Sequence, residues 1–312
     1  MNQEQSAADA VIGVDIGGTK IAAGIVTSQG EALHVLRVPT PSAEGAGAIL
    51  AAVSGLGRQL LTIASAQNMQ ISGIGIGAGG QIDVKTGRVR YASSVIPGWA
   101  GAEIAQTVSA ELCLPVRADN DVNVLALGEH RFGAGQPYAD VLFVGVGTGV
   151  GGAVILNRQL VHGASFAAGE IAHLLVDYRG ERICGCGLPG HLEAYAAGPA
   201  IAKHYGKLAG LTTPCELPTV LRRANEGEQS AIDAIQEAGS ILGKALVGIL
   251  AVLDPQAVVI GGGVIQLGKL WWEPLLAEIR TNPLPGLAKI AVHPAQLGQN
   301  AAVIGAGALF YS

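Results

Sequence analysis

Four clusters in this chain combine residue types and spacings that can do chemistry. In Asp15-Ile16-Gly17-Gly18-Thr19-Lys20 an acid, two glycines, a hydroxyl and a cation stand between the apolar runs 11–14 and 21–26. Amides of such a turn can face an anion, so it reads either as a phosphate holder or as an ordinary Asp-Gly-Gly hairpin. Asp119-Asn120-Asp121 follows the strand-like Val116-Arg117-Ala118 and opens a helix over 122–132. Asn and Asp before a helix are usual N-caps. A carboxylate at that place is also where open α/β sheets hold ligands and catalytic groups, and one residue can cap while Asp121 does chemistry.

Gly147-Thr148-Gly149-Val150-Gly151-Gly152 satisfies a G-x-G-x-x-G pattern through Gly147, Gly149 and Gly152, but β-like Ala153-Val154-Ile155-Leu156 follow it. A dinucleotide fingerprint needs a helix there, so a nicotinamide or flavin site is rejected. What remains is a second strand-turn-strand unit built like the first, and two such turns suffice to pinch one polyphosphate. The densest cluster is Glu170, His173, Cys184, Cys186, His191 and Glu193. Cys-x-Cys with two histidines supplies the ligand count of tetrahedral zinc, against the reading of two free thiols in a glycine loop.

The elements that must carry these residues follow from periodicity. Ile49, Val53, Leu56, Leu60 and Ile63 advance by steps of four and three, which predicts an amphipathic helix over about 45–66. Strands are expected at 32–38, 71–77, 88–91, 114–118, 140–146, 256–260 and 289–292. Helices are expected at 199–208, 217–225, 230–252, 271–281 and 301–310. Ala78-Gly79-Gly80 is a glycine turn that lets a ligand approach the backbone, and Ser93-Ser94-Val95-Ile96-Pro97-Gly98-Trp99 is an irregular loop. Gly261-Gly262-Gly263 is a third glycine turn after a strand. The G-x-x-x-x-G-K-L run at 263–270 imitates a P-loop, but Leu270 lacks the hydroxyl that a metal needs.

Composition narrows the function classes. With 49% hydrophobic and 14% charged residues, the 312-residue chain is globular, with two domains the default for its length. A formal charge of −5 and no basic run argue against nucleic acid, leaving small-molecule partners. The first ten residues have neither a basic nor an apolar leader region, and no apolar stretch of about 18 residues is free of glycine and charge, so neither signal peptide nor membrane span is expected. Four cysteines are too few for a disulfide scaffold, and the compartment expected is the cytoplasm.

Taken together, these elements resemble those of ROK-family sugar kinases, in the actin-like ATPase superfamily. The resemblance runs from Val11 to about Ala308. It is most specific in Gly147–Gly198, through Ala168-Gly169-Glu170-Ile171-Ala172-His173 and Cys184-Gly185-Cys186-Gly187-Leu188-Pro189-Gly190-His191-Leu192-Glu193. It implies an α/β, two-lobed actin-like (ribonuclease H-like) ATPase fold with an interlobe cleft: a small lobe of 1–121 plus about 297–312, and a large lobe of 122–296. It further implies Asp121 as catalytic base, with Asn120, Glu170, His173 and Glu193 on the sugar and Gly80 and Ser93 near it. Asp15 would lie by Mg2+ and the phosphates of ATP; Gly17, Gly18, Thr19, Lys20, Gly147, Thr148 and Gly149 would hold the phosphate chain, with Gly262 and Gly263 beside the nucleotide.

The sequence departs from the family pattern twice. His191 stands where a third cysteine is usual; histidine also binds zinc, so His173, Cys184, Cys186 and His191 are expected to hold a structural Zn2+. Val95 or Ser94 stands where many relatives carry asparagine, which bears on the choice of sugar. The implied activity is ATP-dependent phosphorylation of a hexose 6-hydroxyl, glucose first. The alternatives are N-acetylmannosamine or N-acetylglucosamine kinase, the former because His162-Gly163-Ala164-Ser165-Phe166 resembles the corresponding stretch of such enzymes, and a non-catalytic sugar sensor. Relatives imply a homodimer or homotetramer.

Overall fold

The computed structural model describes residues 9–92, 96–282 and 284–311. The chain divides into two compact units. The first runs through Pro137 and also takes in His162–Ala167 and the stretch from Gln296 onward; the second comprises Tyr138–Val161 and Ala168–Ala295.

In the first unit, β1 (Asp9–Ile16), β2 (Lys20–Thr27) and β3 (Ala32–Pro39) form a meander, followed by α1 (Ala46–Ala66) and β4 (Gln70–Ala78). The small hairpin β5 (Gln81–Asp83) and β6 (Arg88–Tyr91), α2 (Ile104–Leu112), β7 (Val116–Asn120) and α3 (Asp121–Phe132) come next. The sheet order is β3-β2-β1-β4-β7, with β1 and β4, and β4 and β7, parallel. Its register aligns Asp15 with Gly77 and Gly77 with Asp119, so the acidic residues of separate strands end at one edge. Ile49, Val53, Leu56 and Leu60 of α1 are buried at the expected spacing. α2 was not foreseen, although Ile104, Val108 and Leu112 repeat every four residues and all three are buried.

In the second unit, β8 (Val141–Val146), β9 (Val150–Leu156) and β10 (Gln159–Leu160) form the meander. Helices α4 (Glu193–Ala196), α5 (Gly198–Leu208), α6 (Leu217–Asn225) and α7 (Gln229–Leu253) follow, then β11 (Ala257–Gly261), α8 (Lys269–Arg280), α9 (Pro285–Ala288) and β12 (Ala291–Pro294). The order β10-β9-β8-β11-β12 repeats that of the first sheet, antiparallel and parallel pairs included. Its core joins the strands to α7 through Ile235, Leu242, Leu246 and Leu250 and to α8 through Trp271.

The last helix, α10 (Ala301–Ala308), returns to the first unit and packs on β1, β4 and α3. It comes so close that a Cβ on Gly75 would lie 1.8 Å from the Ala306 carbonyl, and one on Gly305 would lie 2.0 Å from that of Val124. The returning chain is fastened by the buried Glu129 of α3, whose Oε1 accepts from the amides of Gln296 and Leu297 at 2.8 Å each, while Oε2 accepts from that of Ala134 at 3.0 Å. These contacts put α3 in the first unit, and the division falls after Pro137 where the sequence reading set it at residue 121.

Helices α1 and α7 are long and apolar enough to cross a membrane by length and composition, each with mean hydropathy 1.4. The apolar faces of both are part of the two protein cores, which is the ordinary use of such helices.

Candidate active site

In the first unit, the β1–β2 turn is held from outside by the residues after β3. Thr40 Oγ1 donates to the Gly17 carbonyl at 2.7 Å, Ser42 Oγ to that of Gly18 at 3.0 Å, and the Thr40 amide to that of Thr19 at 3.0 Å. Because C=O and N–H of a peptide point in opposite directions, drawing the carbonyls to one side turns amides to the other, the arrangement of an anion nest. Gly18, Thr19 and Lys20 are exposed. Asp15 lies just before the turn. Burial, then the nearby charge of Asp121, raise its pKa to about 6, and Lys20 opposes the shift.

Asp121 is the first residue of α3. Asn120 caps that helix, its Oδ1 accepting from Val122 N at 2.9 Å and Asn123 N at 3.3 Å while its Nδ2 donates to the Gly80 carbonyl at 3.0 Å. The capping reading holds for Asn120, and Asp121 Oδ1 also accepts from Val122 N at 2.9 Å. Burial pushes the Asp121 carboxyl up, against hydrogen bonds led by the one from the Val122 amide. Gly79 is tied to the same end of the unit by Trp99 Nε1, which donates to its carbonyl at 2.9 Å. Ser93, expected near the sugar, lies outside the described residues.

In the second unit, the β8–β9 turn closes through Gly147 N to the Gly149 carbonyl at 2.9 Å, and the Gly147 carbonyl accepts from Gly198 N, the first residue of α5, also at 2.9 Å. Thr148 is the exposed tip. On the neighbouring parallel strand, Gly262 follows β11 with φ +96°, and a Cβ there would lie 2.2 Å from the Val146 carbonyl. Only glycine fits this approach, which brings the turn of Gly262 and Gly263 against the end of β8. Glu193 Oε2 accepts from Val150 N at 3.3 Å, and Cys184 Sγ donates to its Oε1 at 3.5 Å, so this carboxylate joins the glycine turn to the cysteine loop.

Beside Thr148 and Glu193 opens a pocket of about 390 Å³ whose wall includes Arg182, Lys203, His204 and Lys207. Glu237 binds two of these side chains, Arg182 Nη2 at 2.5 Å and His204 Nε2 at 2.6 Å. Sequence reasoning missed this basic wall. The four-residue step from Lys203 to Lys207 put two cations on one face of α5, but only the long-range bond of Gly198 N to the Gly147 carbonyl brings that face beside Thr148.

Glu170 and His173 flank a short helical turn, with His173 Nε2 3.9 Å from Glu170 Oε2. The donor atoms of His173, Cys184, Cys186 and His191 all lie within 4.8 Å of one another. Cys186 Sγ is 3.3 Å from His191 Nδ1, and the two imidazole rings meet edge to face. Two sulfurs and two nitrogens at this spacing fit a tetrahedral thiophilic ion. Without one, burial leads the effects that push the Cys184 thiol to about 11.

Paired glycine turns at the strand ends of two sheets with one shared strand order, plus an acid at the start of a helix after the edge strand, define the class: an α/β protein with the actin-like ATPase fold. The glucokinase of Halalkalibacterium halodurans is 32% identical over 313 residues, covering 95% of this chain and 93% of the relative. The crystal structure of the ROK hexokinase from Thermus thermophilus matches with a TM-score of 0.84 at 32% identity, over 96% of this chain and 97% of that one. That of a ROK family glucokinase from Streptomyces griseus, in complex with glucose and AMPPNP, matches with a TM-score of 0.80 at 33% identity, over 96% and 98%. The model of the ROK family fits residues 11–312, and this chain belongs to the ROK family.

Proposed function

We propose that this protein is an ATP-dependent sugar kinase that transfers the terminal phosphoryl group of ATP to the 6-hydroxyl of a hexose, with glucose the first candidate. The observation that carries the reading is Asp121: a half-buried carboxylate at a helix start, beside the Asn120 side chain that caps the helix, with its pKa raised by desolvation. A base needs affinity for a proton, and desolvation raises that of Asp121. Asp121 would take the proton of the attacking hydroxyl. Asn120, Glu170, His173 and Glu193 offer the amide, carboxylate and imidazole groups that match sugar hydroxyls, and Gly80 is assigned beside Asn120, whose Nδ2 donates to its carbonyl. Amides of Gly18, Thr19, Thr148 and Gly149, in turns that the Gly17 and Gly147 amides close, would hold the phosphate chain together with Lys20. Gly262 and Gly263 would line the nucleotide, and the cations of α5 add favourable charge.

Asp15 fits Mg2+. It is a hard oxygen donor whose proton affinity is raised by burial and by a second carboxylate, a tension that a divalent cation relieves. When bound, Mg2+ supplies charge neutralisation on the phosphates. We assign Zn2+ to His173, Cys184, Cys186 and His191 as a structural ion fixing the His173 ring, so that its second nitrogen is free for the sugar. The assignment places the enzyme where ATP is, in the cytoplasm. The exposed apolar side chains Leu175, Tyr178, Ile183 and Leu188 around the same loop support a homo-oligomer.

The test is a coupled kinase assay over glucose, mannose, fructose, N-acetylglucosamine and N-acetylmannosamine, with ATP and with polyphosphate as donors. Turnover highest with glucose and ATP is expected. A preference for an N-acetylhexosamine would move the substrate assignment, and sugar binding without turnover would make the protein a sensor.

A further inference from the structure

His162 opens a six-residue stretch, His162–Ala167, that is flanked in sequence by the second unit and packs with the first. Its Nε2 lies 2.7 Å from Asp119 Oδ2. Asp119 is 2% exposed, and its other oxygen, Oδ1, accepts from the Asn120 amide at 2.7 Å and from Asn123 Nδ2 at 2.8 Å. One buried carboxylate thus holds the residue that caps α3, a side chain of the first helical turn, and an imidazole 43 positions further along the chain. Asp121 sits between the two α3 contacts, and the role assigned to it gives His162 no direct part in the reaction. The bond to Asp119 raises the pKa of His162 against the opposing effect of burial, which favours a charged pair. Four residues on, the Phe166 ring meets the Arg90 guanidinium at 5.8 Å, a second attachment of the same stretch. The stretch ends three residues before Glu170.

We propose that His162 is a positioning residue: through Asp119 it fixes the Asn120-Asp121 turn in the orientation that proton transfer requires, and it pins the stretch that leads into Glu170 and His173. The physical basis is that a buried carboxylate deprived of its cation seeks other partners or water, and its remaining ligands here are the groups that orient Asp121. Misplacement of a catalytic group by about 1 Å can cost on the order of 100-fold in rate. The inference rests on the reading of Asp121 as the base of a sugar kinase.

The experiment compares wild type with His162→Ala, His162→Asn and His162→Gln, by steady-state kinetics and by hydrogen exchange over 118–124 and 161–168. Glutamine places an amide donor about where Nε2 lies, whereas asparagine is polar but too short to reach Asp119. The expected result is kcat lowered roughly 10- to 100-fold in the Ala and Asn variants, with KM for ATP within about two-fold, faster exchange in both stretches, and most of the rate recovered in the Gln variant. Equal behaviour of the Gln and Asn variants, or unchanged exchange in both stretches, overturns the proposal, and either can be read if the Ala variant does not fold. A wild type that phosphorylates none of the sugars defeats the kinase reading instead. The exchange data then decide whether His162 holds the turn.

Discussion

Asp121 and Asp15 are two acids with raised pKa values at one end of one sheet, and their different neighbours give them different expected behaviour. Asp121→Asn keeps an oxygen that can accept from the Val122 amide but cannot take a proton. We expect kcat to fall by ~10²–10⁴-fold in the coupled assay while sugar affinity, measured by calorimetry, changes by no more than a few-fold. Asp15 titrates near 6 in the folded chain and near 3.8 when unfolded. A carboxyl raised on folding binds its proton more tightly in the native state. Its stabilising effect is therefore complete below the unfolded value and is lost as pH rises through about 6. Asp15→Asn should then stabilise the metal-free protein at pH 8, by on the order of 1–3 kcal/mol, with the gain shrinking as pH falls from 6 towards 4, as read from urea unfolding at each pH. A gain independent of pH would mean that the Asp15 charge is not the source.

At the scale of elements, the contact between α10 and the first sheet is made of backbone on backbone. Gly75→Ala puts a methyl where the Ala306 carbonyl stands, and it should destabilise the protein by ~3 kcal/mol or more, since a helix must shift. Gly47→Ala in exposed α1, with open space around its added carbon, should instead stabilise by up to ~1 kcal/mol. Urea titration of both variants separates the two effects. The cysteine loop makes a metal-dependent prediction: purified protein should carry about one zinc per chain, and chelation or Cys184→Ser should release it and speed hydrogen exchange over 173–191. Metal-free wild type with a protected loop would remove zinc from the account. Most strands and the glycine turns that end them were legible in the sequence, because apolar runs and turn chemistry are local signals. What was not legible depends on distant partners. The membership of α3 in the first unit follows from a helix far along the chain, the pairing of Asp119 with His162 from a stretch 43 residues away, and the basic wall beside Thr148 from the packing of α5 on a turn that precedes it by fifty residues. Helix α2 is a different case, since Ile104, Val108 and Leu112 carry the helical spacing in the local sequence.

As a whole molecule, the chain uses one strand order twice and gives each copy a different task. The β1–β2 turn of the first sheet and the β8–β9 turn of the second occupy the same topological place, as do the glycine turns after β4 and β11. The first copy ends in Asn120 and Asp121; the second carries the loop of Glu170, His173 and the cysteines. The return of α10 to the first unit also sets an order of events during synthesis. A ribosome that has finished α3 must add about 175 more residues before α10 is complete, roughly ten to thirty-five seconds at ordinary elongation rates, and the backbone of Gly13 and Gly75 has no helix to cover it in that time. The second unit, complete at Ala295, has no such wait. A nascent chain stalled at 295 behind a linker that spans the exit tunnel should therefore show a protease-resistant second unit and a digestible first one. The half of the protein that is translated first is the half that matures last.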